Sequence, residues 1–162
     1  MSESTHLDIV IQRTFKAPRQ LVWDVWTQAE HIAKWWGPKG MTTKVLVHDF
    51  VPGGKWHYVM QSPDGKEFPV LGEFIEIDAI EQWVGKDEFP DEYLKFFPKD
   101  KLPGETKMTF HFEDKGAETH LTLTITSLTE EDKQKHLNMG AEGGWNSSFD
   151  KLEELLANLQ AA

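Results

Sequence analysis

The first stretch of the chain alternates apolar and polar residues. Between residues 6 and 16, apolar side chains occupy every second position, at Leu7, Ile9, Ile11 and Phe15. A period of two is typical of a strand with one buried face. The pair Ala17-Pro18 interrupts the alternation, so a first strand is predicted to end there.

Two short helices are predicted next. After Pro18, whose missing N–H costs little in a first turn, apolar residues recur at helical spacing, at Leu21, Val22, Val25 and Trp26. This helix is predicted to end near Thr27. A second helix, over roughly 28–36, carries Ile32, Trp35 and Trp36 on one side and stops at Gly37-Pro38.

The central part of the chain, from Met41 to Ile125, contains mostly strand-like runs. Turn signals separate these runs at Pro52-Gly53-Gly54, at residues 62–65, at Gly85 and at Lys115-Gly116. Six strands are predicted in this region.

Residues 86–104 differ from their surroundings. The segment is charged and interrupted by prolines, and it contains Phe89, Tyr93, Leu94, Phe96 and Phe97. It has two interpretations: a surface loop anchored by its aromatic residues, or a lid over a binding site.

Two hairpins can be aligned from their turns. A three-residue loop with Pro63 second in a type I turn and Gly65 at a bulge predicts the pairs Lys55–Glu73, Trp56–Gly72, Tyr58–Val70 and Met60–Phe68. A turn at Lys115-Gly116 predicts Met108–Leu123, Phe110–Leu121, His111–His120 and Glu113–Glu118. In both registers apolar residues face apolar residues on one side of the sheet.

The last predicted element is a long helix from the capping residue Thr129 to about Gln160. One face is apolar: Leu137, Ala141, Trp145, Phe149, Leu152, Leu156 and Leu159. An antiparallel sheet of seven strands curls because strands twist, and this helix is long enough to cover its concave face. The glycines in the middle of the helix, and Gly72 opposite Trp56, predict space between helix and sheet. The predicted fold class is α+β.

Composition narrows the class of protein. The chain has 162 residues, no cysteine and a net charge of −10, and a single domain over residues 1–162 is expected. The negative charge argues against nucleic-acid and membrane-surface partners. The lack of cysteine excludes disulfides and thiolate metal sites. Without a long apolar run or a secretory leader, the protein is expected to be cytoplasmic.

The aromatic content is unusual, with seven Trp and ten Phe against two Tyr. Such side chains fill a core or line a pocket for an apolar ligand. Whether the aromatic side chains pack the core or line a pocket therefore determines whether the protein can bind an apolar ligand.

Three separated segments of the chain resemble a known family. They are FKAPRQLVWDVWTQAEHIAKWWGP (15–38), DFVPGGKWHYVMQSPDGKEFPVLGEFIEI (49–77) and MGAEGGWNSSFDKLEELL (139–156). These segments resemble the activator of heat-shock-protein-90 ATPase homologue-like family, over about residues 9–158. That family belongs to the START-like, or SRPBCC, superfamily with the helix-grip fold of the birch-pollen allergen.

The resemblance implies a curved seven-stranded antiparallel sheet that grips the C-terminal helix around an apolar cavity, in the order β-α-α-β-β-β-β-β-β-α. Superfamily relatives use such a cavity for lipids, hormones, polyketides or flavonoids, and some are cyclases or hydrolases. Eukaryotic co-chaperones carry the module behind a separate N-terminal domain that supplies much of the ATPase stimulation. The resemblance supplies no family-wide catalytic residues.

The candidate cavity-lining residues are mostly aromatic. They are Trp36, Trp56, Tyr58, Met60, Phe68, Val70, Phe74, Trp83, Phe110, Phe112, Leu121, Leu123, Met139, Gly143, Trp145 and Phe149. Each of them has the alternative role of packing the core.

No catalytic constellation, cofactor motif or metal site is predicted. His111, His120, Glu113 and Glu118 have the residue types of a metal site, but a solvated polar face of the hairpin explains them better. His48 and His57 are interpreted as structural strand residues, because no nucleophile or paired carboxylate accompanies them. Gly53-Gly54 belongs to no phosphate-binding loop.

The sequence and the resemblance are consistent with three classes of function. The leading hypothesis is binding of a small apolar or aromatic molecule in the cavity, with Trp56, Tyr58 and Trp145 shaping the site. The alternative is a stress-related, co-chaperone-like interaction module that contacts a chaperone ATPase. A cyclase or hydrolase in the same cavity is the least supported, since no acid–base pair is visible.

Overall fold

A computed structural model describes residues 7–88 and 105–161 of the protein. Its elements, in chain order, are β1 Asp8–Phe15, α1 Arg19–Thr27, α2 Ala29–Trp35, β2 Thr42–His48, β3 Lys55–Gln61, β4 Glu67–Asp78, β5 Gln82–Glu88, β6 Thr106–Lys115, β7 Glu118–Thr126, α3 Glu130–Asn138 and α4 Ala141–Ala161. The predicted α+β class and element order are confirmed. Among the described helices, none is long and apolar enough to cross a membrane.

All seven strands form one antiparallel sheet in the order β1-β7-β6-β5-β4-β3-β2. Helix α4 lies across the sheet, where Phe149 packs edge-to-face on Phe15 of β1 with ring centroids 5.7 Å apart. Arg13 of β1 ties the same helix to the sheet through a 2.7 Å bond from Nη1 to Asp150 Oδ1. The core therefore lies between the apolar face of the sheet and the helices.

Aromatic rings fill the middle of this core. Trp26 of α1 lies 4.6 Å from Trp35 and 4.8 Å from Phe110, measured between ring centroids. The indole N–H of Trp35 donates to the Val25 carbonyl at 2.8 Å, so this buried polar group is satisfied. Much of the aromatic content thus packs the core.

The β3–β4 hairpin has the predicted register. Trp56 pairs with Gly72, Tyr58 with Val70, and Met60 with Phe68. Gly65 has φ +89°, as a left-handed bulge position requires, and its N–H donates to the Ser62 carbonyl. On the outer face, Lys55 Nζ lies 2.8 Å from Glu73 Oε1.

The predicted β6–β7 register is wrong by two residues. Phe110 pairs with Leu123 and Phe112 with Leu121, while Met108 faces Ile125. The central residues of the turn are Gly116 and Ala117, because Gly116 has φ +76° and takes the first central position of the two-residue loop. A shift of two residues keeps every side chain on its predicted face, so the apolar pattern alone cannot exclude it.

The same correction separates the two histidines of this hairpin. His111 pairs with Thr122, and His120 pairs with Glu113. Within residues 7–88 and 105–161 no cluster of potential metal ligands is present. The His120 ring lies 2.9 Å from both Thr14 Oγ1 and Gln12 Oε1 on β1.

The C-terminal region differs from its prediction as one long helix. It forms two helices, because Gly140 adopts φ +82° after α3 and a new helix begins at Ala141. The cap at Thr129 is confirmed, since its Oγ1 accepts from the Asp132 N–H at 3.1 Å. Gly85 lies inside β5 rather than in a turn.

The predicted loop or lid at residues 86–104 begins later than expected, since β5 continues to Glu88. Residues 89–104 lie outside the described residues.

Candidate ligand-binding site

A cavity of about 210 Å³ lies where the end of α2 and strands β3 to β5 approach the junction between α3 and α4. Its larger apolar side chains are Trp36, Met60, Val70, Met139 and Trp145. Asp87, His136 and Ser148 add polar groups, and Gly37, Pro38, Gly140, Ala141 and Gly144 complete the lining. The cavity therefore combines a large apolar wall with three polar side chains.

Trp36 is positioned by the end of α2. Its carbonyl oxygen accepts a 2.5 Å hydrogen bond from Thr43 Oγ1 of β2, and Lys151 Nζ of α4 lies 3.5 Å from it. The ring packs edge-to-face against Tyr58 at 5.1 Å and against Trp145 at 5.3 Å. Contacts from β2, β3 and α4 thus hold Trp36 in the cavity wall.

Gly37 lets the chain turn next to this wall. Its φ of +95° is a left-handed conformation that suits glycine. A Cβ at this position would lie 3.1 Å from Met60 Sδ and 3.2 Å from Thr43 Oγ1. Glycine therefore allows the α2–β2 turn to approach β3 closely.

Trp145 of α4 joins the cavity to the aromatic core. Its ring stacks on Trp26 at 6.3 Å with an interplanar angle of 20°, and it lies 5.7 Å from Phe110 and 5.8 Å from Phe149. The side chain remains half-buried and lines the cavity. Rigid core packing therefore supports one side of the candidate site.

The glycines at the start of α4 leave open space. A Cβ at Gly140, Gly143 or Gly144 would meet no atom within 4 Å. Gly140 and Gly144 line the cavity, whereas Gly143 is exposed and does not. The predicted space next to the last helix is present, but it lies at one end of the sheet.

The polar side of the cavity contains two buried residues. His136 of α3 is 7% exposed and Ser148 of α4 is 5% exposed. Burial lowers the pKa of His136, so its imidazole is uncharged near neutral pH. Asp87 of β5 supplies a carboxylate to the same lining.

Of the predicted lining residues, five line this cavity: Trp36, Met60, Val70, Met139 and Trp145. Most of the others are buried in the core: Trp56, Tyr58, Phe74, Trp83, Phe110, Phe112, Leu121, Leu123 and Phe149. Phe68 is half-buried on β4, and Gly143 is exposed on α4.

The expected gap at the Trp56–Gly72 pair is filled. The ring of Trp56 lies where a Gly72 side chain would be, and it is also within 3 Å of the position a Cβ would take on Gly85. Phe74 and Trp83 pack on the same indole, with centroid distances of 4.9 and 6.0 Å. The Trp56 ring therefore fills the space that the two glycines leave.

The polar lining residues Asp87, His136 and Ser148 were not predicted from the sequence. Ser148 had a usable signal, because it lies three residues after Trp145 and four after Gly144, on one helical face. His136 had none, because its approach to α4 depends on the helix break at Gly140.

A hydrogen-bonded pair, the half-buried His48 and the buried Tyr58, lies behind Trp36. His48 Nε2 is 2.6 Å from the Thr27 carbonyl oxygen, and His48 Nδ1 is 2.6 Å from the Tyr58 hydroxyl oxygen. A carbonyl oxygen only accepts, so Nε2 carries the proton and Nδ1 accepts from Tyr58. Burial lowers the pKa of His48 and raises that of Tyr58. The pair joins the α1–α2 connection to β3, as expected of a structural histidine.

Three solved structures with the same fold are 27–29% identical in sequence to this chain. A solution structure from Arthrobacter aurescens has a TM-score of 0.85 and 29% identity, covering 96% of this chain and 90% of that one. A crystal structure from Nitrosomonas europaea has a TM-score of 0.80 and 27% identity, covering 99% and 100%. A third, from Mycobacterium smegmatis, has a TM-score of 0.82 and 27% identity, covering 95% and 93%.

Among proteins with curated descriptions, none matches the chain. Residues 16–157 match the family described as "Activator of Hsp90 ATPase homolog 1-like protein". This match includes all the residues that line the cavity, from Trp36 to Ser148. The chain therefore belongs to the Activator of Hsp90 ATPase homolog 1-like family.

Proposed function

We propose that the protein binds a small apolar or aromatic molecule in the cavity between the sheet and the α3–α4 junction. The observation that carries this proposal is the wall of two tryptophans, two methionines and a valine around about 210 Å³ of space. Burial of an apolar ligand against such a wall is favourable, by about 25 cal/mol for each Å² removed from water.

The size of the space limits the ligand. A space of about 210 Å³ lies below the usual range of about 300–1,000 Å³ for ligand pockets, so a small molecule of one or two rings suits it.

The walls differ in rigidity. Trp36 and Trp145 are held by core contacts, and their ring faces suit stacking or edge contacts with another ring. Met60 and Met139 are unbranched and polarisable, so they adapt to ligands of different outline. This combination favours selection for size and apolarity over selection for one exact shape.

Two glycine positions on α4 provide a matched test. Gly144→Leu adds an apolar side chain in the open space at the cavity, and Gly143→Leu adds the same group on the exposed side of the helix. Leucine is also the better helix former, so neither change should lower the melting temperature. Binding of naphthalene, an apolar two-ring probe, is measured by calorimetry.

We expect saturable binding to the wild type and to Gly143→Leu. Gly144→Leu should weaken binding at least tenfold with an unchanged melting temperature. Binding that is equal in the two variants would place the probe elsewhere on the protein, and no saturable binding to the wild type would contradict the function.

A second candidate is contact with a chaperone ATPase, which the family description names. Its support is a group of exposed aliphatic side chains on and after edge strand β2: Leu46 is 51%, Val47 44% and Val51 49% exposed. Stimulation of the chaperone's ATP turnover that is lost in Leu46→Asp but kept in Gly144→Leu would favour this candidate. The lack of cysteine suits a reducing cytoplasm in either case.

A further inference from the structure

We propose that the cavity selects an uncharged aromatic alcohol or phenol, whose hydroxyl group bonds to Ser148 beside His136, and that it rejects aromatic carboxylates. This inference rests on the proposed function, and it names the chemical class of the ligand.

Ser148 is the first support. It is only 5% exposed and lines the cavity, and among residues 7–88 and 105–161 no hydrogen-bond partner of its hydroxyl is found. The oxygen is not among the fully buried atoms that lack a partner, so it is accessible from the open space of the cavity. There it can both donate to and accept from a ligand hydroxyl.

The helix places this hydroxyl next to the apolar wall. Trp145 and Ser148 are three residues apart on α4 and line the same cavity. Side chains at that spacing are neighbours on a helical surface. A ligand with a ring against Trp145 therefore needs its polar group only a short distance away.

His136 distinguishes neutral ligands from anions. Burial lowers the pKa of its imidazole, which favours the uncharged ring near neutral pH. An uncharged imidazole next to Ser148 is compatible with a neutral ligand. It gives a carboxylate no positive charge.

The charges around the cavity also oppose an anion. Asp87 lines it, and the first turn of α4 already carries an acidic residue, Glu142, near the positive end of the helix dipole. Two basic residues on adjoining elements are engaged: Lys86 lies 3.2 Å from Glu105, and Lys151 donates to the Met41 carbonyl at 3.1 Å. The net charge of −10 acts in the same direction.

Three probes of one ring system test the inference by calorimetry at pH 7.5. They are naphthalene, 2-naphthol and 2-naphthoate, which differ in the polar group. We expect 2-naphthol to bind about five to ten times more tightly than naphthalene and at least ten times more tightly than 2-naphthoate. Ser148→Ala should remove the advantage of 2-naphthol over naphthalene without weakening naphthalene.

Two variants serve as controls. Ser127→Ala changes an equally buried serine, 2% exposed, that does not line the cavity, and it should leave all three affinities unchanged. Ser148→Thr keeps a hydroxyl at the site and should keep the preference for 2-naphthol. Melting temperatures confirm that each variant is folded.

The outcomes separate this inference from the proposed function. Equal or tighter binding of 2-naphthoate, or an equal loss for all probes in Ser148→Ala, overturns the selection for a hydroxyl while the cavity remains a binding site. Binding of none of the probes overturns both proposals.

Discussion

The indole ring of Trp56 lies against the backbone of Gly72, its partner across the β3–β4 pair, in the space that any other residue at 72 would fill with its side chain. Gly85 on the next strand likewise leaves space for the indole, since a Cβ there would lie 2.7 Å from the ring. One large side chain thus lies over two strands, and its ring fills the space beside both glycines. The cavity at the α3–α4 junction lies away from this packed region.

This contact predicts that Gly72→Ala lowers the free energy of unfolding. The new methyl group would overlap the Trp56 ring, and the overpacked sheet should lose about 1–3 kcal/mol of unfolding free energy. Gly143→Ala is the matched control, because nothing lies within 4 Å of a Cβ there and alanine is the better helix former. Chemical denaturation measures both. Equal stability of the two variants would contradict the packing described for Trp56.

The half-buried His48 predicts a pH dependence of stability. Its pKa in the folded protein lies below the value of about 6.5 in the unfolded chain, so the unfolded state takes up a proton first as the pH falls. The stability that the neutral ring contributes is complete above about pH 6.5 and is lost as the pH falls through the folded pKa. His136 acts in the same direction. The melting temperature should therefore fall from pH 7.5 to pH 5.

Substitution separates the contribution of His48 from that of other groups. His48→Gln keeps polar atoms near Thr27 and Tyr58 but does not titrate, so the fall in melting temperature with acid should become smaller. His111→Gln, at an exposed position of β6, should leave the pH profile as in the wild type. An unchanged dependence of the melting temperature on pH in His48→Gln would show that His48 is not the titrating group.

The contacts of Arg13 with helix α4 predict that replacing Arg13 lowers the stability of the protein. Its guanidinium lies 5.6 Å from the Phe149 ring centroid, and its Nη2 donates to the Asn146 carbonyl at 3.3 Å, in addition to the Asp150 bond. Arg13→Met keeps most of the aliphatic stem and removes these contacts. A melting temperature lower by about 2–4 °C is expected.

Added salt separates the ion-pair contribution of Arg13 to stability from its packing contribution. Asp150 is largely exposed, and the bond from Arg13 lowers the pKa of its carboxyl. A screened ion pair would make the difference between wild type and Arg13→Met disappear in 1 M salt, whereas packing and the carbonyl bond would leave most of it. We expect most of the difference to remain.

The corrected β6–β7 turn predicts opposite sensitivities of two adjacent residues. Gly116→Ala forces a Cβ into a conformation with φ +76° and should destabilise the protein by about 1 kcal/mol. Ala117→Gly changes a residue without positive φ and should cost less. If Ala117→Gly were the more harmful change, the turn would be centred differently from the structure.

Much of the fold could be predicted from local patterns. Alternation identified β1, helical spacing identified α1 and α2, and the turn at Pro63 and Gly65 determined the β3–β4 register. These features depend on residues close in the chain. Local sterics and the two periodicities are sufficient to specify them.

The sequence by itself determined the order of elements, the apolar faces and a large aromatic content between sheet and helix. Only the tertiary structure decided which aromatic residues are solid core and which border open space. That choice depends on how rings from distant segments fill one another's gaps, as Trp56 fills the space above Gly72, and on the break at Gly140, which brings His136 to the cavity beside Ser148. Contacts of this kind are set by packing in three dimensions, because residues far apart in the chain must share the same volume.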